Sequence, residues 1–133
     1  MNPESVRILA LALAIAAMLL ALPAQADPAA RRCTLVGTAG EDALLGTPGR
    51  DVICSLGGND IVDGAGGDDV IYGGPGRDRL EGGPGRDAVA GGSGDDVLFA
   101  WDGRADRLDG GVGRDRAWID RSLDTVRRIE RLG

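Results

Sequence analysis

Aspartate recurs through the middle of this chain at a nearly constant interval of nine residues. Only one interval, from Asp96 to Asp106, is ten residues long. Carboxylates at a fixed spacing collect along one line of any regular fold, and a line of negative charge favours bound cations. The series consists of nine aspartates: Asp42, Asp51, Asp60, Asp69, Asp78, Asp87, Asp96, Asp106 and Asp115.

The residues around each aspartate indicate which cation these carboxylates would bind. In the five nine-residue units from residue 55 to residue 99, the fourth place is always glycine and the sixth place is always aspartate. Glycine turns expose their backbone carbonyls, and the aspartate adds negative charge. Ca²⁺ takes about six to eight oxygen ligands of these two kinds at irregular angles. The sequence therefore predicts calcium as the cofactor, with the nine aspartates as its side-chain ligands.

The eighth place of every unit holds an apolar side chain, which predicts a short strand at the end of the unit. Its central side chain points inward and its neighbours point outward. Turn, strand, turn and strand then form one coil of 18 residues. The predicted fold is all-β: a right-handed parallel β-roll, or β-solenoid, of nine nonapeptide repeats with a short C-terminal cap. The eighth-place residues are Leu44, Ile53, Val62, Ile71, Leu80, Val89, Leu98, Leu108 and Ala117.

Stacked coils would place the aspartates in two files, one along each edge of the roll, at a spacing of ~4.8 Å. Odd units supply five aspartates and even units supply four, so the files have four gaps and three gaps and hold at most seven ions. The long unit from Ala100 makes the gap between Asp87 and Asp106 the least expected site. Without cations each file would repel itself, so folding and calcium binding are predicted to be one event.

Composition excludes several classes of function. The chain has 133 residues, of which 23 are glycine and only 3% are aromatic. Large side chains are therefore too few for an ordinary globular core. Its net charge of -6 disfavours nucleic acid as a partner. It contains no histidine, no HExxH and no GxSxG, so no enzyme is expected.

The N-terminus has the pattern of a Sec-type signal peptide. Arg7 precedes an apolar run from Ile8 to Leu22, and Ala24-Gln25-Ala26 gives a cleavage pattern before Asp27. The run is shorter than the ~20 residues that a membrane-spanning helix needs. An exported chain without a membrane span after cleavage is predicted, with an uncleaved anchor as the alternative. The predicted organisation is a signal peptide at 1–26, an N-terminal capping segment at 27–36, the roll at 37–118 and a C-terminal cap at 119–133.

The cap keeps the phase of the repeats, because Asp124 and Val126 fall at the sixth and eighth places of a tenth unit. This favours a strand. Apolar residues at intervals of three also fit an amphipathic helix.

Cys33 and Cys54 are the chain's two cysteines, and export would place them in an oxidising compartment. We expect a disulfide between them, with free thiols or an intermolecular pair as the alternatives. In strict register Cys33 would face Asp51, about 10 Å along a strand from Cys54. A bridge therefore requires the chain before Gly37 to leave the register.

The repeat GGxGxDxUx, in which U is a large aliphatic residue, resembles the RTX, or haemolysin-type calcium-binding, repeat family over residues 37–118. The resemblance implies a parallel β-roll that binds calcium between the turns of successive coils through sixth-place aspartates and turn carbonyls. Two features depart from the pattern. Ser55-Leu56 replaces two glycines, and arginine fills the fifth place at Arg50, Arg77, Arg86 and Arg114. We expect these arginines to point to solvent.

The function predicted from these residues is a secreted calcium-binding protein that couples folding to extracellular calcium and acts as a structural or adhesive module. The alternative is a remnant or accessory domain of a secreted RTX-type toxin or hydrolase, without a catalytic site of its own. The strands of the even-numbered units present a more apolar outer face, with Val52, Val70, Tyr72 and Ala88. This face is a candidate surface for a protein partner or for self-association. Small β-forming residues without a partner explain it equally well.

Overall fold

The computed structural model describes residues 32–133, which form a parallel β-solenoid. The predicted signal peptide, residues 1–26, lies outside the described residues, as do residues 27–31. The strands of the described part are β1 (Leu35–Val36), β2 (Ala43–Leu45), β3 (Val52–Cys54), β4 (Ile61–Asp63), β5 (Val70–Pro75), β6 (Arg79–Glu81), β7 (Ala88–Ser93), β8 (Val97–Ala100), β9 (Arg107–Val112), β10 (Arg116–Ile119), β11 (Thr125–Arg127) and β12 (Arg131–Leu132).

Alternate strands join the same sheet, as the coil of 18 residues predicts. One six-stranded sheet has the order β1-β3-β5-β7-β9-β11, and the other has the order β12-β10-β8-β6-β4-β2. All neighbouring strands are parallel, so each turn of the chain passes from one sheet to the other. The predicted parallel β-roll is therefore confirmed.

The core is a double column of the eighth-place side chains. In one sheet Ile53, Ile71 and Val89 pair in register, and in the other Val62, Leu80 and Leu98 do so. These side chains are almost fully buried against one another. Because each coil contributes one such residue to each sheet, the core is narrow and continues along the whole roll.

The one-residue insertion in the unit from Ala100 does not shift this register. Val89 pairs with Leu108 and Leu98 pairs with Ala117, each across 19 positions instead of 18. The extra residue lies in the turn that contains Trp101, whose side chain is 79% exposed. The strands thus keep their phase while the turn takes up the added length.

The 18-residue register extends to the N-terminal strand β1, in which Leu35 pairs with Ile53. Cys33 then leaves the strand direction and forms a disulfide with Cys54, with the Cα atoms 6.0 Å apart. The bridge therefore forms, but the expected departure from register is confined to Cys33, because Thr34, Leu35 and Val36 keep the register that the chain before Gly37 was expected to leave. Cys54 is consequently only 4% exposed, although it lies on the outer face of its sheet.

The C-terminal segment ends in strands, so the strand expectation is confirmed over the helix alternative. β11 pairs with β9 and β12 pairs with β10. Leu132 stands opposite Ala117, 15 positions earlier, so the last coil is shorter than the others. Within residues 32–133 no helix has the length and apolar character to cross a membrane.

The narrow core makes each eighth-place side chain important for stability. We expect Leu80→Ala, at a side chain with 0% exposure, to lower the free energy of unfolding by about 2–5 kcal/mol because it leaves a cavity. Urea unfolding in saturating calcium measures this. The matched control is Leu45→Ala in β2, where the side chain is 69% exposed and the change should be below about 1 kcal/mol. Equal losses in the two variants would contradict the described core.

Candidate metal centre

Each of the nine aspartates comes directly before a strand, at the end of a turn. Eight of them are buried, and Asp42 at the N-terminal end is half-buried. Buried carboxylates are costly unless hydrogen bonds or opposite charges compensate them. The partners of their two oxygen atoms therefore decide what these side chains can do.

From Asp60 onward, one oxygen of each of these carboxylates accepts a hydrogen bond in a continuous ladder along an edge of the roll. The backbone N–H of Asp60 donates to Asp78 Oδ1 at 2.9 Å, and the N–H of Asp78 donates to Asp96 Oδ1 at 2.9 Å. The other edge repeats this pattern, from Asp51 through Asp69 to Asp87. The ladder also crosses the long unit, where the N–H of Asp87 donates to Asp106 Oδ1 at 2.7 Å. The structure thus places the nine aspartates in two files.

Both files continue into the C-terminal segment. The N–H of Asp106 donates to Asp124 Oδ1 at 2.9 Å, and the N–H of Asp115 donates to Glu130 Oε2 at 2.6 Å. The sequence signals Asp124 by its place in the tenth unit. Glu130 gives no such signal, because it lies 15 residues after Asp115 and is not an aspartate.

The second carboxylate oxygen of seven aspartates is buried and has no hydrogen-bond partner within residues 32–133. In five of the seven turns it lies beside the first-place glycine of its own unit, and a Cβ at Gly73 would stand 2.6 Å from Asp78 Oδ2. The glycine therefore leaves the space that this oxygen occupies. A row of buried carboxylate oxygens without donors is an arrangement that a cation stabilises. The seven oxygens are Oδ2 of Asp60, Asp69, Asp78, Asp87, Asp96, Asp106 and Asp115.

Burial makes these carboxyls hold protons unusually tightly. It raises the pKa of Asp78, Asp96 and Asp106 to about 6 and that of Asp87 to about 7. Carboxylates of the same file raise the pKa further, as Asp106 and Asp69 do at Asp87. The backbone hydrogen bond to each carboxylate lowers the pKa without cancelling the effect of burial. A bound cation would offset both the burial and the repulsion.

The sequence comparison agrees with the structure on the nature of this repeat. The family model for the RTX calcium-binding nonapeptide repeat matches residues 36–71, 56–89, 63–98, 72–105 and 81–117. The chain belongs to this RTX family. No curated protein gives a significant match to the chain.

The RTX turns fit calcium by the chemistry of their donors. They combine unpartnered carboxylate oxygens with the carbonyls of glycine-containing turns. Among the described residues no three acidic or cysteine side chains converge into one metal-binding group. Backbone carbonyls would therefore have to supply most of the ligands, which suits Ca²⁺ and does not suit Zn²⁺.

The two departures from the RTX pattern leave the files intact. Arg50, Arg77, Arg86 and Arg114 are all exposed, as expected, and Arg77 makes only a loose ion pair with Asp95 at 3.9 Å. Ser55 replaces a first-place glycine, and its hydroxyl donates to the Gly73 carbonyl at 2.7 Å. Leu56 adopts the left-handed conformation, with φ of 75°. These residues keep the shape of the turn without the usual glycines.

Sequence reasoning missed three threonines at the N-terminal end of the files. Thr38 and Thr47 each donate to Oδ2 of the aspartate in the same unit, and Thr34 donates to Asp51 Oδ1 at 3.2 Å. The substitution of threonine for the second-place glycine was the available signal. Asp42 and Asp51 consequently differ from the seven aspartates that follow them.

The fourth-place glycines allow neighbouring turns to stack, which gives a test of the turn geometry. Gly76 has φ of 138°, and a Cβ there would lie 1.7 Å from the Gly58 carbonyl oxygen. We expect Gly76→Ala to destabilise the calcium-loaded roll by about 1–3 kcal/mol or more, measured by urea unfolding. Gly40→Ala is the matched control, since its Cβ would meet only Thr38 Oγ1 at 3.7 Å. Equal tolerance of both changes would argue against the stacking.

The raised pKa values give a test by pH. Because the pKa of Asp87 rises from 3.8 to about 7 on folding, the folded, calcium-free chain binds more protons than the unfolded chain between these two pH values. Its stability therefore falls as the pH rises through this range. We expect calcium-free protein to keep its β-structure near the lower end of this range and to lose it toward neutral pH, as measured by circular dichroism. In saturating calcium the trend reverses, because protons compete with the cation. A calcium-free chain that gains stability with rising pH would contradict the electrostatics of the files.

Proposed function

We propose that this chain is an exported RTX protein that binds calcium between its stacked turns, folds when it does so, and serves outside the cell as a rigid structural or adhesive module. The observation that carries the proposal is the row of seven buried Oδ2 atoms without a partner. Membership of the calcium-binding repeat family supports calcium as the cation. The leader pattern at residues 1–26 supports export.

The aspartates and the glycines of this chain would contribute to calcium binding in different ways. The aspartates supply charge at fixed positions, because Oδ1 is tied to the adjacent coil and Oδ2 is left facing the turn. The glycines allow the backbone to turn tightly and leave room for Oδ2. Calcium, when bound, supplies the positive charge that neutralises neighbouring carboxylates. A calcium-free chain in a low-calcium compartment would then stay unfolded until export.

The same assignment supports a proposed role without catalysis. The buried carboxylates belong to the ladders, and the chain has no histidine to act as a general base. The described residues form turns and strands of one roll, so we propose a binding and structural role.

The outer face of the sheet that contains β3, β5 and β7 is a candidate for contact with another protein or a second copy. Tyr72 is 45% exposed there, beside Val70 and Ala88 in an open groove. Arg107 and Asp109 border the same groove and add polar contacts. A partner surface at this position stays a prediction.

Calcium titration followed by far-UV circular dichroism tests the proposed function. We expect a coil spectrum in chelator that becomes β as calcium rises, with no such change in magnesium, which prefers a stricter octahedral site. Asp78→Asn should raise the calcium midpoint about tenfold, because Asn removes a ligand charge from the site. Glu81→Gln, which removes the same charge from an exposed position three residues later, is the control and should shift the midpoint little.

A folded spectrum in chelator that ignores calcium would overturn the proposed function. Equal midpoint shifts in the two variants would instead mean that net charge, not the sixth-place carboxylate, governs the calcium response.

A further inference from the structure

The N-terminal coil, which we define as residues 34–54, is built differently from the coils that follow. Both of its units carry threonine at the second place, as Thr38 and Thr47. The chain has only four threonines, and Thr34 adds a third to this coil. Cys54, one of the two cysteines of the disulfide, also lies in this coil.

The threonines occupy the carboxylate oxygens that stay unpartnered elsewhere. Asp42 Oδ2 accepts from the N–H of Thr38 at 2.6 Å and from its hydroxyl at 3.0 Å. Asp51 Oδ2 accepts from the N–H of Thr47 at 2.6 Å and from its hydroxyl at 2.9 Å. Asp51 Oδ1 accepts from the Thr34 hydroxyl at 3.2 Å. Each of the two carboxylates therefore has donors that suit its charged form.

The backbone of these two turns also differs. At the second place of later units, Leu56, Ala65 and Gly74 have φ values of 75°, 67° and 92°. Thr38 and Thr47 are not among the residues with positive φ. Their N–H groups can consequently reach the aspartate four residues later, which no second-place N–H does in the seven turns with an unpartnered Oδ2.

We propose that the N-terminal coil is a calcium-independent seed, in which the hydroxyl and amide donors of Thr38 and Thr47 take the place of calcium at Asp42 and Asp51. The inference rests on the proposed function, because it divides the roll into one coil that needs no calcium and later coils that need it. The disulfide between Cys33 and Cys54 lowers the conformational entropy of the unfolded coil and favours the same end. β3 of this coil then offers a preformed edge on which β5 pairs when calcium binds.

Amide hydrogen exchange of the exported chain in chelator, with its disulfide intact, tests the seed. We expect amides of the N-terminal coil to exchange at least about tenfold more slowly than unfolded amides, since hydrogen bonds to charged groups resist opening. Amides of residues 70–117 should exchange at unfolded rates in chelator and become protected in calcium.

Paired variants separate the threonine donors from the disulfide. The double variant Thr38→Val and Thr47→Val keeps the side-chain shape and the disulfide but removes both hydroxyl donors. It should lower the protection of the N-terminal coil in chelator by about tenfold, while calcium still folds residues 70–117. Thr125→Val in β11 is the matched control and should change nothing, because within residues 32–133 Thr125 bonds to an aspartate only through its backbone N–H, which donates to the Asp106 carbonyl at 2.8 Å.

Calcium counting by isothermal titration gives an independent result. Asp51→Asn should leave the number of bound ions unchanged, whereas Asp78→Asn should lower it or weaken one class of site about tenfold.

The outcomes distinguish this inference from the proposed function. Uniform loss of protection in chelator, including the N-terminal coil, overturns the seed alone, as does an ion lost from Asp51→Asn. Protection of the whole roll in chelator overturns both the proposed function and the seed.

Discussion

The structure depends on one repeated hydrogen bond, from the backbone N–H of an aspartate to Oδ1 of the aspartate in the next coil. This bond fixes the carboxylate at the end of the turn, sets the spacing of the coils and buries the second oxygen in most of the turns. The fold therefore creates its own requirement for positive charge. In the later coils the described residues contain no donor that meets it, and under the proposed function calcium does so.

Because the core is narrow, the burial of apolar side chains cannot outweigh the requirement for positive charge. Each coil adds only two eighth-place side chains, such as Ile71 and Leu80, to the interior. Ordering a glycine-rich turn costs more backbone entropy than ordering a turn of other residues. Under the proposed function, the neutralisation of the carboxylate files then decides whether a coil forms.

Most of the fold could be read from the sequence because one rule generates it. The period of nine residues determined the coil of 18 residues, the pairing of Leu80 with Leu98, and the two files. Sequence reasoning failed where a contact breaks that rule. Glu130 reaches Asp115 across 15 residues, and Thr47 binds Asp51 through a local side-chain bond. Such contacts depend on turn conformation, which the periodicity does not specify.

The unit from Ala100 shows where the repeat tolerates a change of length. Its added residue sits in the turn at Trp101, and both ladders and both columns of the core continue past it. An insertion within a strand would instead rotate the eighth-place side chain to the opposite face of the sheet. Insertions and deletions in rolls of this kind should therefore accumulate in turns, and the count of residues per coil is a weaker constraint than the phase of the strands.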